Sequence, residues 1–554
     1  MSLRADEPDG APGTPGAAPP AEPEPRTAAL PEGGGASEVA DEPPFAPRAP
    51  WFTPALALVA LAGLGLRTWH LLASRVDRVP VFEQGDAFWY STVAINLGDG
   101  RLFRNLFTGS PTADHPPLTV LLLGPTSWLF GTSTFAQRVT MVVLGTATIA
   151  VVGLAVRNLA GPRAGIAAAA VAALAPALWV NDVLVMSETP TALVVALVLW
   201  AGIALSRRPS LRLAAVAGAL CGLAALSRAE TGLFLPLMVW PLVALARPLP
   251  AAQRLRLAGA ATLATLVVLA PWTLLNLGRF EEPVAISTND GLTLAGANCA
   301  ETYHGAITGG WTLTPCVVDG YARIEAAKPD PAPALPAGTD PNRPCGDPEQ
   351  HRLPCLDPSQ VSKVLRQQGT RYVRAHLGDL PKVVAVRNAR VWGLYGLDQA
   401  IGTGSNEGRT PWVTRLGFQV TWLLVPFTVA GAVLLRRRGT TVVPFVASVA
   451  IVVVVSTAFY GLVRFRLPYD VASCFLAGVA IAAVWDRLSP PLVVARRRSQ
   501  RALMPLAVTI AIDSVMIRAD IFEVPSARST KVMGTSTILR SACTMRWASS
   551  LMKA

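Results

Sequence analysis

The sequence predicts a polytopic α-helical membrane protein, and three observations carry that prediction. Of 554 residues, 51% are hydrophobic and 15% are charged, with a mean hydropathy of +0.41, which excludes an ordinary water-soluble enzyme. About ten apolar runs recur at the length needed to cross a bilayer. The short turns between them concentrate arginine on one side, as a topology signal does. The net charge of +12 and pI near 9.8 therefore point to anionic lipid, and the sequence gives no nucleic-acid signature. Heavy use of Ala, Arg, Pro and Gly is typical of a high-GC bacterial genome.

Taken in order, residues 1–50 are rich in Pro, Ala, Gly and Glu without apolar periodicity, and are expected to be a disordered cytoplasmic tail. They are acidic, unlike the n-region of a cleaved signal peptide. The run Trp51–Ala73 then serves as an uncleaved first anchor. Residues 74–137 form a first external loop, in which the spacing predicts a helix over Asp86–Leu97. The stretch Leu118–Phe130 is too short to span and contains Pro125, so it is assigned to the interface as a second juxtamembrane helix.

Spans follow at 138–158, 164–182, 188–206, 211–227, 231–246 and 256–277, completing an N-terminal module over 51–277. Three more, at 413–435, 440–460 and 467–486, make up a C-terminal module over 413–490. With a cytoplasmic N-terminus, the basic turns Arg157/Arg163, Arg207/Arg208/Arg212, Arg247/Arg254/Arg256, Arg436–Arg438 and Arg496–Arg498 all face the cytoplasm. Arg67, Arg75 and Arg78 dissent, standing outside beside the first span. The short pair 211–227 and 231–246 is not tested by this parity. Residues 278–412 become one external domain, and 491–554 a basic cytoplasmic tail with no assignable role.

Four of the seven cysteines, Cys299, Cys316, Cys345 and Cys355, fall in the external domain and predict two disulfides. Pairing of sequence neighbours, Cys299–Cys316 and Cys345–Cys355, is preferred among three connectivities. A zinc site using His304 or His351 is disfavoured because no zinc-ligand spacing is present. Cys221 and Cys474 sit in apolar runs as packing residues.

Ionisable residues collect at the outer ends of the predicted spans. Asp86, Asp114 and His115 lie in the first loop, and Asp86 and Tyr90 share a helical face one turn apart. Glu188 opens a span in MSETP, Arg228 and Glu230 form the turn LSRAE, and Arg464 and Arg466 precede the last span in RFRLP. Each alone has a structural explanation, as a snorkelling arginine or a helix-capping carboxylate. Together at one membrane face they describe a functional cavity. Carboxylates supply a general base for a hydroxyl nucleophile, and arginines hold a phosphate leaving group. A phosphate at headgroup level beside a hydrophobic groove describes a lipid-linked donor. Neither a Gly-rich phosphate loop nor a zinc-protease motif is present.

The order GDAFWY (85–90), ADHPPL (113–118), MSETP (186–190), LSRAE (226–230) and RFRLP (464–468) resembles the GT-C glycosyltransferases of the family 39 type. That type includes protein O-mannosyltransferases and the lipid A aminoarabinose transferase. The resemblance covers roughly residues 51–490. It implies the GT-C fold: about ten transmembrane helices, two external juxtamembrane helices and one large external loop.

By the same resemblance Asp86 is the base that deprotonates the acceptor, and Glu188 is a second catalytic acid. Arg228, Arg464 and Arg466 would hold the donor phosphate, and Tyr90, Asp114, His115 and Glu230 would complete donor and substrate binding. Some relatives hold a divalent cation near Asp114 and His115, but without a DxD pair no metal is assigned. The expected reaction is transfer of a hexosyl or pentosyl group from a polyprenyl phosphate to a glycan, lipid or protein hydroxyl. It would take place at the outer face of the plasma membrane. The alternatives are a transporter or lipid-linked glycan flippase, whose charges would sit mid-membrane, and a non-enzymatic scaffold built on the cysteine-bearing loop.

Overall fold

Prolines break two of the apolar runs of this chain, at 176 and at 236 and 241, while Pro125, Pro271 and Pro426 are carried inside continuous helices. The structure is a computed structural model that describes residues 49–74, 84–105, 109–246, 249–317 and 357–488. Most of the predicted tails, Arg75, Arg78, Arg247, Cys345, His351 and Cys355 lie outside the described residues.

The first half comprises α1 (Phe52–Ala73), α2 (Asp86–Gly98), α3 (Leu118–Phe130), α4 (Thr134–Ala160), α5 (Pro162–Leu174) and α6 (Pro176–Trp179). It continues with α7 (Glu188–Arg207), α8 (Leu211–Ser227), α9 (Trp240–Ala244) and α10 (Ala251–Leu277). A loop domain follows with α11 (Asp290–Ala297), α12 (Ala300–Tyr303), α13 (Pro358–Ala375), α14 (Leu380–Val391) and α15 (Leu397–Asn406). The chain then re-enters the bundle as α16 (Pro411–Arg437), α17 (Val443–Ala458) and α18 (Leu467–Leu488).

Among the described residues, six helices are long and apolar enough to cross a membrane: α1, α4, α7, α10, α16 and Val463–Leu488. The protein is therefore a multi-pass membrane protein. The other four predicted spans coincide with shorter apolar helices, and two of these are discontinuous.

The predicted span 164–182 is not one helix. Ala175 is extended (ψ 110°) ahead of Pro176, α6 lasts only four residues, and a buried turn runs on to Ser187. A residue before proline is driven out of the helical region, which accounts for the break. The span 231–246 is likewise a 3₁₀ turn (Ala229–Leu233), a π turn (Leu235–Val239) and α9. Pro236 and Pro241 each remove a backbone donor there.

The centre of the bundle is α18, most of whose apolar window is buried against α5, α16, α7 and α17. Close approach depends on small residues, as in membrane bundles generally. A Cβ at Gly478 would lie 2.4 Å from the Ala168 side chain of α5, and one at Gly218 only 2.0 Å from the Ala261 carbonyl of α10.

Arg67 departs from its reading as an external residue. It lies inside α1, 1% exposed, with Nε donating to Asp182 at 2.7 Å and other nitrogens donating to the Ala172, Ala173 and Gly63 carbonyls. Asp182 also accepts from the Thr189 hydroxyl at 2.7 Å. Arg67 is thus a buried structural charge with a dedicated partner, and it carries no topology information.

The Cys299–Cys316 disulfide is formed as expected, and Cys221 and Cys474 are free and buried. The loop domain is fastened to the bundle by Arg387 of α14, 2% exposed. Its guanidinium donates to the Ala297 and Thr457 carbonyls and to Asn298 Oδ1. Asn388 joins the same end of α17 through Thr457 Oγ1 and Ser456 Oγ.

Candidate active site

Gly85, at φ 58°, turns the chain so that Asp86 becomes the first residue of α2. A carboxylate suits that position because the helix dipole is positive there. One turn on, Tyr90 stacks on His115 with ring centroids 4.9 Å apart, and Trp89 meets the same ring edge-on at 5.1 Å. His115 stands in a bend just ahead of Pro116 and Pro117, and its Nε2 lies 3.7 Å from Asp86 Oδ1.

Glu188, 1% exposed, opens α7 after the buried 180–187 turn. Its Oε1 accepts from Arg228 Nη1 at 3.3 Å and Arg409 Nη2 at 3.1 Å, while Arg464 Nε is 3.9 Å away. Its Oε2 is buried without a hydrogen bond. Arg228 ends α8 in extended conformation, donating from Nε to Glu230 at 2.7 Å and from Nη1 to Ser187 Oγ. Arg464, in the 3₁₀ turn Val463–Arg466, gives Nη1 to both Asp86 Oδ2 at 2.7 Å and Glu407 Oε1 at 3.0 Å.

Five chain segments therefore bring Asp86, Glu188, Glu230 and Glu407 against Arg228, Arg409 and Arg464. Glu407 and Arg409 were not among the residues singled out from the sequence. They bond to each other directly, and Arg409 also donates to Asn181 Oδ1 at 2.8 Å. Their signal was available: NEGRTP is an ionisable turn two residues before the helix-opening Pro411. The expected boundary of the external domain at 412 places this turn inside that domain, not at a span edge.

Two expected ligands point elsewhere. Asp114 Oδ1 accepts from Thr288 Oγ1 at 3.1 Å and its carbonyl accepts from Ser287, tying the first loop to the loop domain. Arg466 is buried against Asp470 (Nε to Oδ1 3.0 Å) and over the Phe418 ring, away from the main cavity. His304 is exposed and lies 3.5 Å from Asp379. Among the described residues no set of three His, Cys, Asp or Glu side chains is placed to hold a metal ion.

The cluster forms the floor of a cavity of about 800 Å³. Tyr90, His115, Arg228, Glu230 and Arg464 line the floor. Apolar lining comes from Leu233, Val454, Val455, Ala458 and Phe459, and the loop domain contributes the polar Thr288, Ser359, Lys363 and Arg366 together with the apolar Val284 and Ile286. Asp86 and Glu188 stand one contact behind this floor, reached through Arg464, His115 and Arg228.

Burial alone would raise the Asp86 carboxyl, but the Arg464 guanidinium, and after it His115, outweigh burial and hold it below the usual carboxylate range. Burial pushes His115 below its ordinary value despite Asp86 and Asp114, leaving a neutral ring. Burial, then the Asp86 charge, raise the Tyr90 phenol, which stays protonated.

Residues 114–274 match the family model of dolichyl-phosphate-mannose-protein mannosyltransferases. The match takes in His115, Glu188, Arg228 and Glu230, and leaves out Asp86, Glu407, Arg409 and Arg464. It supports a GT-C glycosyltransferase fold. An Archaeoglobus fulgidus oligosaccharyltransferase structure with zinc and sulfate is similar at 15% identity and a TM-score of 0.43, over 78% of this chain and 49% of that one. The oligosaccharyltransferase AglB of the same organism, with an inhibitory peptide and a dolichol-phosphate, gives 14% identity and 0.44, over 85% and 54%. ArnT from Cupriavidus metallidurans bound to undecaprenyl phosphate gives 18% and 0.35, over 80% of both chains. The chain thus spans about half the length of the oligosaccharyltransferases it resembles. No curated protein matches it.

Proposed function

We propose that the protein transfers a hexosyl or pentosyl group from a polyprenyl-phosphate donor to an acceptor hydroxyl of the cell envelope. The observation that carries this reading is a cavity whose lining combines the arginines Arg228 and Arg464, an apolar stretch from Leu233, Val454, Val455, Ala458 and Phe459, and polar side chains of the loop domain. A lipid-linked phosphate sugar combines the matching chemistries. Its chain suits the wall from α17 and the 229–233 turn, its phosphate suits Arg464 and Arg228, and its sugar would meet an acceptor along the loop domain.

In the proposed step Asp86 takes the acceptor proton, the acceptor oxygen bonds to the anomeric carbon, and the bond from that carbon to the phosphate oxygen breaks. The electron pair leaves with the polyprenyl phosphate, whose charge Arg464 and Arg228 stabilise, and the anomeric configuration inverts. Glu188 serves by holding Arg228 and Arg409 in register. Tyr90 and His115 shape the floor, and Glu230 fixes Arg228. The proposed orientation has a cytoplasmic N-terminus and the cavity on the outer face of the plasma membrane, where nucleotide sugars are absent and lipid-linked donors take their place.

The test compares wild type with Asp86→Asn for sugar release from polyprenyl-phosphate sugars in the presence of envelope extract. Loss of a general base should cost on the order of a hundredfold or more in turnover. Equal turnover in both proteins would remove Asp86 from the reaction. Absence of turnover in wild type across a panel of donors would favour translocation of a lipid-linked glycan over its transfer.

A further inference from the structure

Four carboxylates face three guanidiniums in the cluster, and its histidine is neutral. A phosphodiester arriving there adds a further negative charge to a site already short of positive ones. One carboxylate must give way, and the contacts show which of them is free to do so. Arg464 serves two on a single nitrogen, its Nη1 donating to Asp86 and to Glu407. Its Nε makes no hydrogen bond, and the side chain lines the cavity.

The two carboxylates are held very differently. Glu407 is fixed at both oxygens, Oε1 by Arg464 and Oε2 by Arg409. Arg409 is in turn locked by Asn181 and Glu188 and is only 4% exposed. Asp86 has one short side-chain bond, to Arg464; its other oxygen faces His115 at 3.7 Å, and its side chain is 29% exposed.

We propose that Glu407 is a positioning residue. It is the permanent partner of Arg464, so that the donor phosphate displaces Asp86 from the guanidinium without displacing the guanidinium itself. Donor binding then frees the carboxylate that takes the acceptor proton, and the donor must enter before that proton is abstracted. Arg409, bridging Glu188 and Glu407, makes the loop domain part of this arrangement. The inference rests on the proposed transfer reaction for its purpose, but its core claim is an exchange of partners that binding alone can reveal.

The test uses the full-length protein with undecaprenyl phosphate as probe and reads labelling of Asp86 by a hydrophobic carbodiimide, which attacks protonated carboxyls, through mass spectrometry. Loss of an arginine partner multiplies the protonated fraction of a carboxyl by roughly tenfold or more. Undecaprenyl phosphate should therefore increase Asp86 labelling in wild type by about that factor. In Glu407→Gln the lipid should bind at least as tightly, since a negative charge is gone, while the rise in labelling is lost and turnover at saturating donor falls roughly tenfold. Glu407→Asp, with the charge kept one methylene short, should fall between the two.

A merely structural role for Glu407 would lower lipid binding, turnover and thermal unfolding temperature together, which would overturn the proposal. So would unchanged or reduced Asp86 labelling in wild type on adding the lipid, even if the protein turns over sugar. Conversely, increased labelling without transfer for any donor would leave the exchange standing and reject the reaction.

Discussion

His115 shows what a single buried side chain contributes at this site. Its pKa is lowered by burial, so the unfolded chain takes up a proton that the native ring refuses. Its contribution to stability is therefore complete above the ordinary value of 6.5 and is lost as the pH falls from there. Asp86 is depressed as well, and its contribution is lost only below the ordinary carboxylate value of 3.8, so the two effects separate along the pH axis. Thermal unfolding in detergent should show wild type losing stability between pH 7 and pH 5. His115→Gln should lose less, by about 1.4 kcal/mol for each pH unit at most. Equal losses would mean that the ring is already protonated in the native state. Asp86 could be read from the sequence as a carboxylate in the first loop one helical turn from Tyr90, and Arg228 and Glu188 as charges at the ends of apolar runs. Arg466 met the same criterion and is nevertheless packed against Asp470, because run ends show which charges are near the membrane and not which way they turn.

At the scale of helices, glycines decide how closely the elements meet. Gly478→Ala would place a methyl 2.4 Å from the Ala168 side chain, on the contact that seats α18 against α5. Ala168 backbone atoms lie at 2.5–2.6 Å as well, so a methyl there would push α18 and α5 apart, and α18 is the helix that begins just after Arg464. The expected result is a loss of about 1–3 kcal/mol in stability, seen as a lower thermal midpoint, together with reduced turnover. An unchanged midpoint would show that α5 and α18 are not in firm contact. Apolar periodicity found where helices lie, but 164–182 and 231–246 looked continuous because hydropathy does not register backbone donors. The prolines at 176, 236 and 241 were the readable sign of the breaks.

At the scale of the molecule, the proposed orientation puts the turn after α7 and the loop domain on opposite sides of the membrane. A cysteine introduced at exposed Arg212 should resist a membrane-impermeant thiol reagent in intact cells, and one at exposed Gln367 should react, over the wild-type background. The reverse pattern would invert the topology and move the cavity to the cytoplasm. Hydropathy and charge bias made the polytopic class legible. The joining of the loop domain to the bundle was not, because it rests on contacts between residues far apart in sequence, such as Arg387 with Thr457 and Arg409 with Asn181.

The pairing of Asp86 with Arg464 also has a meaning for biosynthesis. The two residues are 378 positions apart, so at about 5–20 residues per second the ribosome needs roughly 20–75 s to supply the arginine after the aspartate. During that interval α2 has to wait at the bilayer surface with its carboxylate in water, since no cation of the C-terminal helices yet exists to receive it. The site thus closes late, from both ends of the nascent chain, and a polypeptide cut short before residue 464 would present an unneutralised acidic edge, a mark by which incomplete copies differ from finished ones.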